Sequence, residues 1–375
     1  MRKLLPGGLA AVLAIAVVAT PAAAEGVVLH AGSAAAVPGS YLVKPADTAN
    51  PTDVAARFGD RVTRAFTGSY RGFAVRLTAR QARRLAADPA VAYVEQDQVV
   101  RANSTQKDAP WGLDRIDQRA LPLNTTYDYT TTGAGTTAYV IDTGVRITHA
   151  EFGGRASYGW DAIDKDDVAQ DDNGHGTHVA GLVAGRTYGV AKGAKVVAVR
   201  VLDGQGSGTT AGVIAGVDWV TRNAVKPAVA NFSLGGGVSV ALDDAVRRLI
   251  ASGVTASVTA GGSGTTVANV SPARVAEALV SGASTQNDQR ASYSNYGPGV
   301  DVYAPGVAIT SAWHTGDTAT NTVGGTSMAT GFVTGVASRY LQANPRATPA
   351  QVEAEVVREA TPLGWGRLLY WSPTR

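Results

Sequence analysis

There is no cysteine among the 375 residues. Its absence removes thiol nucleophiles, cysteine-built zinc sites and any disulfide framework, so stability must come from a packed core, with bound ions as a further candidate source. An excess of one charge sign is lacking too. The net charge of +3 is too small a bias to point to nucleic acid or a membrane as partner. No stretch reaches the roughly twenty apolar residues that span a bilayer, and there is neither an internal repeat nor a low-complexity tail. What stands at the start is Met1-Arg2-Lys3, an apolar run from Leu9 to Val18, and Pro21-Ala22-Ala23-Ala24. That is the layout of a secretory signal peptide cut after Ala24, and it implies export to the extracellular space.

Residues 25 to about 36 are small and featureless and read as a spacer. A compact α+β unit follows from Gly39 to Val99, with strands at 41–43, 73–77 and 91–95 and a helix at 79–87. Residues 103–109 are polar and aperiodic and end at Pro110, which reads as a linker and a point of cutting. Beyond it, valine-rich strands at 136–141, 195–202, 229–234 and 254–260 alternate with helical patterns at 175–185, 210–223 and 240–251. Near-continuous apolar strands separated by helices predict a parallel sheet covered on both faces. The length suits one large domain with a smaller companion, and the 44 glycines concentrate around three segments that carry chemistry.

The first is Gly324-Gly325-Thr326-Ser327-Met328-Ala329-Thr330, which opens a run of small and apolar residues to about Leu341. With almost no polar face before Arg339, that run predicts a buried helix. Ser327 at its first turn sits where free N–H groups and the positive dipole end favour an oxyanion, as befits a nucleophile, though serine is equally an ordinary N-cap there. Asp142 follows the strand Ala138-Tyr139-Val140-Ile141 and precedes Thr143-Gly144, placed to orient a histidine or to make a turn. His175 lies in Asp172-Asn173-Gly174-His175-Gly176-Thr177-His178-Val179-Ala180-Gly181, with glycines leaving its ring room to act as a general base. His178, three residues on, completes a possible metal pair or is a buried helix residue. No glutamate lies between the two as in a zinc-peptidase motif. His30, His149 and His314 have no distinguishing context.

Val140-Ile141-Asp142-Thr143-Gly144, Asn173-Gly174-His175-Gly176-Thr177-His178-Val179-Ala180-Gly181 and Gly325-Thr326-Ser327-Met328-Ala329-Thr330 together resemble the subtilisin-like serine peptidases. The resemblance is to the proteinase K-like branch, with the same Asp, His, Ser order, and covers residues 109–370. The upstream stretch ending Ala90-Val91-Ala92-Tyr93-Val94-Glu95-Gln96-Asp97 resembles the inhibitory prosegment of that family. What this implies is an α/β fold, a mostly parallel sheet with helices on both faces, preceded by a small α+β ferredoxin-like prosegment. The implied division is a signal peptide at 1–24, a prosegment at 25–103 with its folded part at about 39–99, and a catalytic domain at 104–375, with the cut near Asn103-Ser104. The implied function is a secreted serine endopeptidase made as a proenzyme, with Asp142, His175 and Ser327 as its triad. It would act as a monomer on extended protein segments, with its own prosegment as intramolecular inhibitor. Substrate would lie between Gly206-Ser207-Gly208 and Ser233-Leu234-Gly235, stretches that are otherwise plain strand-to-helix turns. Backbone pairing there implies broad specificity.

The family pattern is broken in two places beside the chemistry. The oxyanion-binding asparagine is replaced by Gly262 in Ala260-Gly261-Gly262-Ser263-Gly264, leaving backbone donors such as the N–H of Ser327 and the nearby Ser263 hydroxyl. The helix after Ser327 usually continues Thr-Pro-His-Val-Ala-Gly, but here reads Thr330-Gly331-Phe332-Val333-Thr334-Gly335. Gly331 is expected to loosen the helix, and Phe332 to alter the packing behind the nucleophile. These departures support two rivals to the peptidase, a pseudoenzyme that binds without cutting and a weak esterase. The resemblance also implies structural calcium, at Asp114, Asp117 and Gln118, with Asn124 where some relatives have aspartate, and a second ion at Asp301. The acidic loop of Asp161, Asp164, Asp166 and Asp167 is a further candidate, or solvated surface.

Overall fold

The computed structural model describes residues 24–33, 35–99 and 104–372. The signal segment, apart from Ala24, lies outside the described residues, as does Asn103 at the expected cut. The chain divides after residue 100 into two compact units.

In the first unit, β1 (Val28–Leu29), β2 (Ala36–Pro45), α1 (Pro51–Ala56), β3 (Val62–Phe66), β4 (Gly72–Arg76), α2 (Ala79–Ala86) and β5 (Val91–Gln98) follow in order. The sheet order is β1-β5-β2-β4-β3. Tyr41, Val43, Phe73, Val75 and Val94 form its apolar face with Ala82 and Leu85 of α2. Thr78 and Gln81 cap that helix reciprocally, which fixes its start. The expected spacer at 25–36 is corrected here. Val28 and Leu29 pair in parallel with Val94 and Glu95, and Gly26 N donates to Arg83 O. The fold therefore begins before residue 39; a two-residue strand is too short to leave a periodic signal.

The second unit opens with β6 (Ser104–Lys107), α3 (Trp111–Ile116) and β7 (Thr126–Tyr129). The expected linker at 103–109 is thus partly strand, since Ser104 to Lys107 pair antiparallel with Tyr129 to Thr126. A polar strand in a two-stranded ribbon buries no face, so alternation could not announce it. Then come β8 (Thr137–Asp142), β9 (Ala156–Asp161), α4 (His175–Ala184), β10 (Lys195–Arg200), α5 (Thr210–Asn223), β11 (Ala228–Phe232), α6 (Val240–Ala251) and β12 (Thr255–Thr259). They are followed by β13 (Leu279–Ser284), β14 (Val302–Pro305), β15 (Ile309–Ala312), β16 (Thr320–Val323), α7 (Thr326–Ala343), α8 (Pro349–Glu359), β17 (Thr361–Leu363) and β18 (Gly366–Leu368).

The main sheet runs β17-β18-β14-β13-β12-β11-β8-β10-β9, parallel throughout except between β17 and β18. Its two faces carry separate cores. Ala138 and Val140 of β8 pack with α4 and α7, while Tyr139 and Ile141 pack with α5 and α6. The period of two in β8 thus splits one apolar run between two helix layers. Strand order reverses around β8, which has β10 on one side and β11 on the other. The carboxyl end of such a switch point is where open α/β sheets place their sites.

Helix α7 is almost wholly buried, as its composition predicts. It lies against α4 at close range through glycine. A Cβ on Gly331 would stand 3.0 Å from that of Leu182 in α4, and one on Gly335 would stand 2.5 Å from that of Val190 in the segment that follows α4. Gly331 therefore serves a close helix approach. Phe332 packs onto Gly112 of α3, lining a small apolar recess with Trp111, Tyr188 and Ile309.

Candidate active site

Asp142 ends β8 fully buried. Its Oδ1 accepts from Thr143 N and from His175 Nδ1, both at 2.7 Å, while Oδ2 is buried without a partner. His175 opens α4 after Gly174, whose φ of 110° is a left-handed conformation suited to glycine. Gly176 passes so close to Gly144 that a Cβ would collide with its carbonyl, and would lie 3.2 Å from Asp142 Oδ1. The glycines flanking His175 therefore let the two strand-end loops meet. Buried Asp171 ties them together. Its Oδ1 accepts from Thr143 Oγ1, Asn173 N and Gly174 N, and its Oδ2 from the N–H and hydroxyl of Thr177.

Burial works against a charged His175 imidazole. The Asp142 carboxylate, by charge and by hydrogen bond, with Asp171 behind it, outweighs that and raises the pKa above the ordinary histidine value. The Nδ1–H donated to Asp142 leaves Nε2 as the free basic nitrogen.

Ser327 is the second residue of α7, after a glycine N-cap that makes no side-chain bond. It is therefore not the cap, and its N–H lies in the first turn, where no helical acceptor exists. Its hydroxyl donates to Ser233 O at 3.1 Å, and the Ser233 hydroxyl donates back to Ser327 O at 3.0 Å. Among the described residues no hydrogen bond joins Ser327 to His175, so the expected relay has its Asp–His link formed and its His–Ser link open. Catalytic contacts of this kind often tighten only with substrate bound. His175 and Ser327 line one open cleft of about 1020 Å³, along with Gly206, Ser207, Gly208, Ser233, Leu234, Gly235 and Gly262. The cleft thus gathers every residue expected at the catalytic, oxyanion and substrate-binding positions except Asp142, which lies buried behind His175.

Residues 133–370 match the subtilase family and residues 27–103 the peptidase inhibitor I9 family. The chain belongs to the subtilase family. The extracellular serine proteinase of Thermus sp. is 57% identical over 304 residues, 81% of this chain and 74% of that one. The alkaline serine exoprotease A of Vibrio alginolyticus is 52% identical, over 80% of this chain and 57% of its own length. A cuticle-degrading serine protease of Arthrobotrys oligospora is 41% identical over 95% of both chains. The crystal structure of a cold adapted subtilisin-like serine proteinase superposes with a TM-score of 0.69 at 51% identity. It covers 70% of this chain and 98% of that one. By family, then, the protein is a subtilisin-like serine endopeptidase.

In this subtilase Gly262 leaves open space in the cleft wall. A Cβ there would meet nothing nearer than Tyr293 at 3.9 Å. The loop around it is held from below by buried Asn295. The Asn295 amide donates to Ala260 O and its carbonyl accepts from Ser263 N and Thr265 N. Both ends of Asn295 are thus engaged in holding the loop. The Ser263 hydroxyl makes no hydrogen bond within the described residues.

His178 is not half of a metal pair. It is fully buried, its Nε2 bonds Ile309 O at 3.1 Å, and burial above all pulls its pKa to about 4. In the acidic loop, Asp161 and Asp164 pair with Arg200 at 2.9 and 2.7 Å, and Asp172 joins them at 3.0 Å, so a guanidinium and not a metal ion faces these carboxylates.

The expected calcium residues fall into two places. Around α3, Asp114 accepts from Asn124 N and Thr125 N, and Asp117 Oδ2 accepts from Asp128 N. Asp117 Oδ1 is buried with no partner. Burial, with the Asp114 and Asp128 charges adding to it, pushes the Asp117 carboxyl up to about 7. A bound cation would satisfy that orphaned oxygen, so the Asp114–Asp117 pair fits calcium. Gln118 turns its amide N–H groups to Ala120 O and Pro122 O. Asp301 stands elsewhere, accepting from Val280 N, and burial pushes it to about 7. Among the described residues no three His, Asp or Glu side chains are gathered to hold a metal.

Sequence reasoning missed Asp171 and Asn295. Asp171 precedes Asp172-Asn173-Gly174 and reads as turn chemistry. Nothing local says that it faces Thr143, twenty-eight residues earlier.

Proposed function

We propose that this subtilase is a secreted endopeptidase acting through Asp142, His175 and Ser327, made as a proenzyme comprising a prosegment at 25–103 and a catalytic domain at 104–375. Ser327 Oγ attacks the scissile carbonyl. His175 Nε2 takes its proton and returns it to the leaving amine, and Asp142 holds the tautomer and stabilises the imidazolium. The backbone N–H of Ser327 receives the oxyanion, with no side-chain amide at Gly262 to assist. The substrate lies extended along Gly206-Ser207-Gly208 and Ser233-Leu234-Gly235. The prosegment acts as an intramolecular inhibitor until it is cut. Calcium at Asp114 and Asp117 would neutralise a buried carboxylate oxygen and so stabilise the fold around α3. The observation that carries the reading is the 2.7 Å bond from His175 to a fully buried Asp142, with Ser327 in the same cleft.

The rival readings rest on Gly262, which costs one oxyanion donor. Incubation with phenylmethanesulfonyl fluoride and with casein separates them. The peptidase labels at Ser327 and cleaves casein, a pseudoenzyme does neither, and a weak esterase labels without cleaving. Ser327→Ala is expected to abolish both and to leave the prosegment attached, as read by mass. Processing of that variant at the normal rate, when it is purified alone, would mean that maturation does not use this serine.

A further inference from the structure

Behind the cleft a chain of hydrogen bonds runs from deep in α7 back to Ser327. On the side of β11 that faces α7, Val229 packs on Ala337 and Leu341, and Asn231 meets Thr334. Asn231 and Thr334 are both fully buried. The Thr334 hydroxyl donates to Asn231 Oδ1 at 2.8 Å, and Asn231 Nδ2 donates to Ser233 Oγ at 3.0 Å. Ser233 Oγ donates to Ser327 O at 3.0 Å, and Ser327 Oγ donates to Ser233 O at 3.1 Å.

Each step of this chain has a direction. An asparagine amide has one accepting and one donating end. With the Thr334 proton on Oδ1, the donating end must face Ser233. The Ser233 hydroxyl then accepts from Asn231, and its single proton is left for Ser327 O. Without the Thr334 hydroxyl the amide is free to turn over, presenting Oδ1 to Ser233. The Ser233 proton would then go to Asn231, and the backbone of Ser327 would lose its anchor. Thr334 lies seven residues after Ser327, two turns along the same helix face. It stands at one of the positions where this helix departs from the family pattern.

We propose that Thr334, acting through Asn231 and Ser233, is a positioning residue for the nucleophile. The inference rests on the reading of Ser327 as nucleophile. It assigns to a buried hydroxyl that touches no substrate the task of orienting the first turn of α7.

The test compares wild type, Thr334→Val, which keeps the shape and loses the hydroxyl, and Thr334→Ser, which restores it. The readouts are the rate constant of Ser327 labelling by phenylmethanesulfonyl fluoride across pH, kcat and KM on casein, and the melting temperature. Thr334→Val is expected to slow labelling and kcat by about three- to tenfold, the size of one buried hydrogen bond. KM should stay within about twofold, and the pH midpoint set by His175 should not move, because the chain reaches the serine and not the imidazole. Thr334→Ser is expected to recover most of the rate. Labelling of Thr334→Val at the wild-type rate, a Ser variant as slow as Val, or a loss that merely follows the folded fraction overturns the proposal. If the Val variant does not fold, Ser233→Ala decides, since it breaks the same chain and keeps the carbonyl. Wild-type labelling rates in that variant overturn the proposal. Unlabelled wild type would overturn both this inference and the catalytic reading, whereas equal labelling of all variants overturns this one alone.

Discussion

A side-chain donor can be put back at Gly262, because its Cβ has open space around it. Gly262→Asn is expected to raise kcat on a peptide by roughly 10²–10³-fold, a figure for one oxyanion donor that itself comes from a subtilisin. Measured kcat unchanged within twofold would mean that the oxyanion lies elsewhere in the cleft. His175 supplies a second expectation. Its pKa is raised by Asp142, and a general base works only when neutral. The kcat/KM profile should therefore fall on acidification through a midpoint above the ordinary value of about 6.5. Stability linked to the same group runs the other way. It is fully present below about 6.5 and is lost as pH rises through the raised folded-state value. Asp142→Asn should lower the midpoint and cut kcat by about 10⁴-fold. The proposed triad of Asp142, His175 and Ser327 was suggested by three short motifs that together resemble the subtilase pattern, although Asp142 alone also reads as a turn residue and Ser327 alone as a helix cap. Asp171 and Asn295 were not, because what marks them is a partner distant in the chain.

Between elements, the decisive contact is the close approach of α7 to α4 and to the segment that follows it. Gly335→Ala would place a methyl group 2.5 Å from Val190 Cβ. It should destabilise the second unit by about 1–3 kcal/mol through overpacking, even though alanine is the better helix former. Urea unfolding measures this, and a variant of equal or greater stability would show that the segment carrying Val190 moves aside easily. The same contact explains why Gly331 is better understood as a packing residue than as a helix weakener. Helices at 210–223 and 240–251 were legible to the residue, since Thr209 and Ser239 cap their starts and apolar periodicity carries through each of them. Strands β6, β7, β15 and β16 were not. They are short and lie in two-stranded antiparallel ribbons, where backbone pairing and not a buried face defines the element.

For the molecule as a whole, alternation of strand and helix patterns predicted a parallel sheet with two covered faces. It could not give the order of strands, because that depends on which way each crossover turns. Nor did composition show that the fold of the small unit begins before residue 39 or that residues 104–107 form a strand. Without disulfides, the second unit is expected to depend on calcium near Asp117. Chelation by EDTA should lower its melting temperature by several degrees, and Asp117→Asn, which removes the charge, should abolish that difference. An identical melting temperature with and without chelator in the wild type would remove calcium from the account. The acidic loop should behave differently. There the positive charge on Asp161, Asp164 and Asp172 is Arg200, a side chain at the end of β10. A counter-ion tethered by its own peptide bond cannot be washed out, so the stretch leading into His175 keeps its anchor whatever the free metal concentration outside.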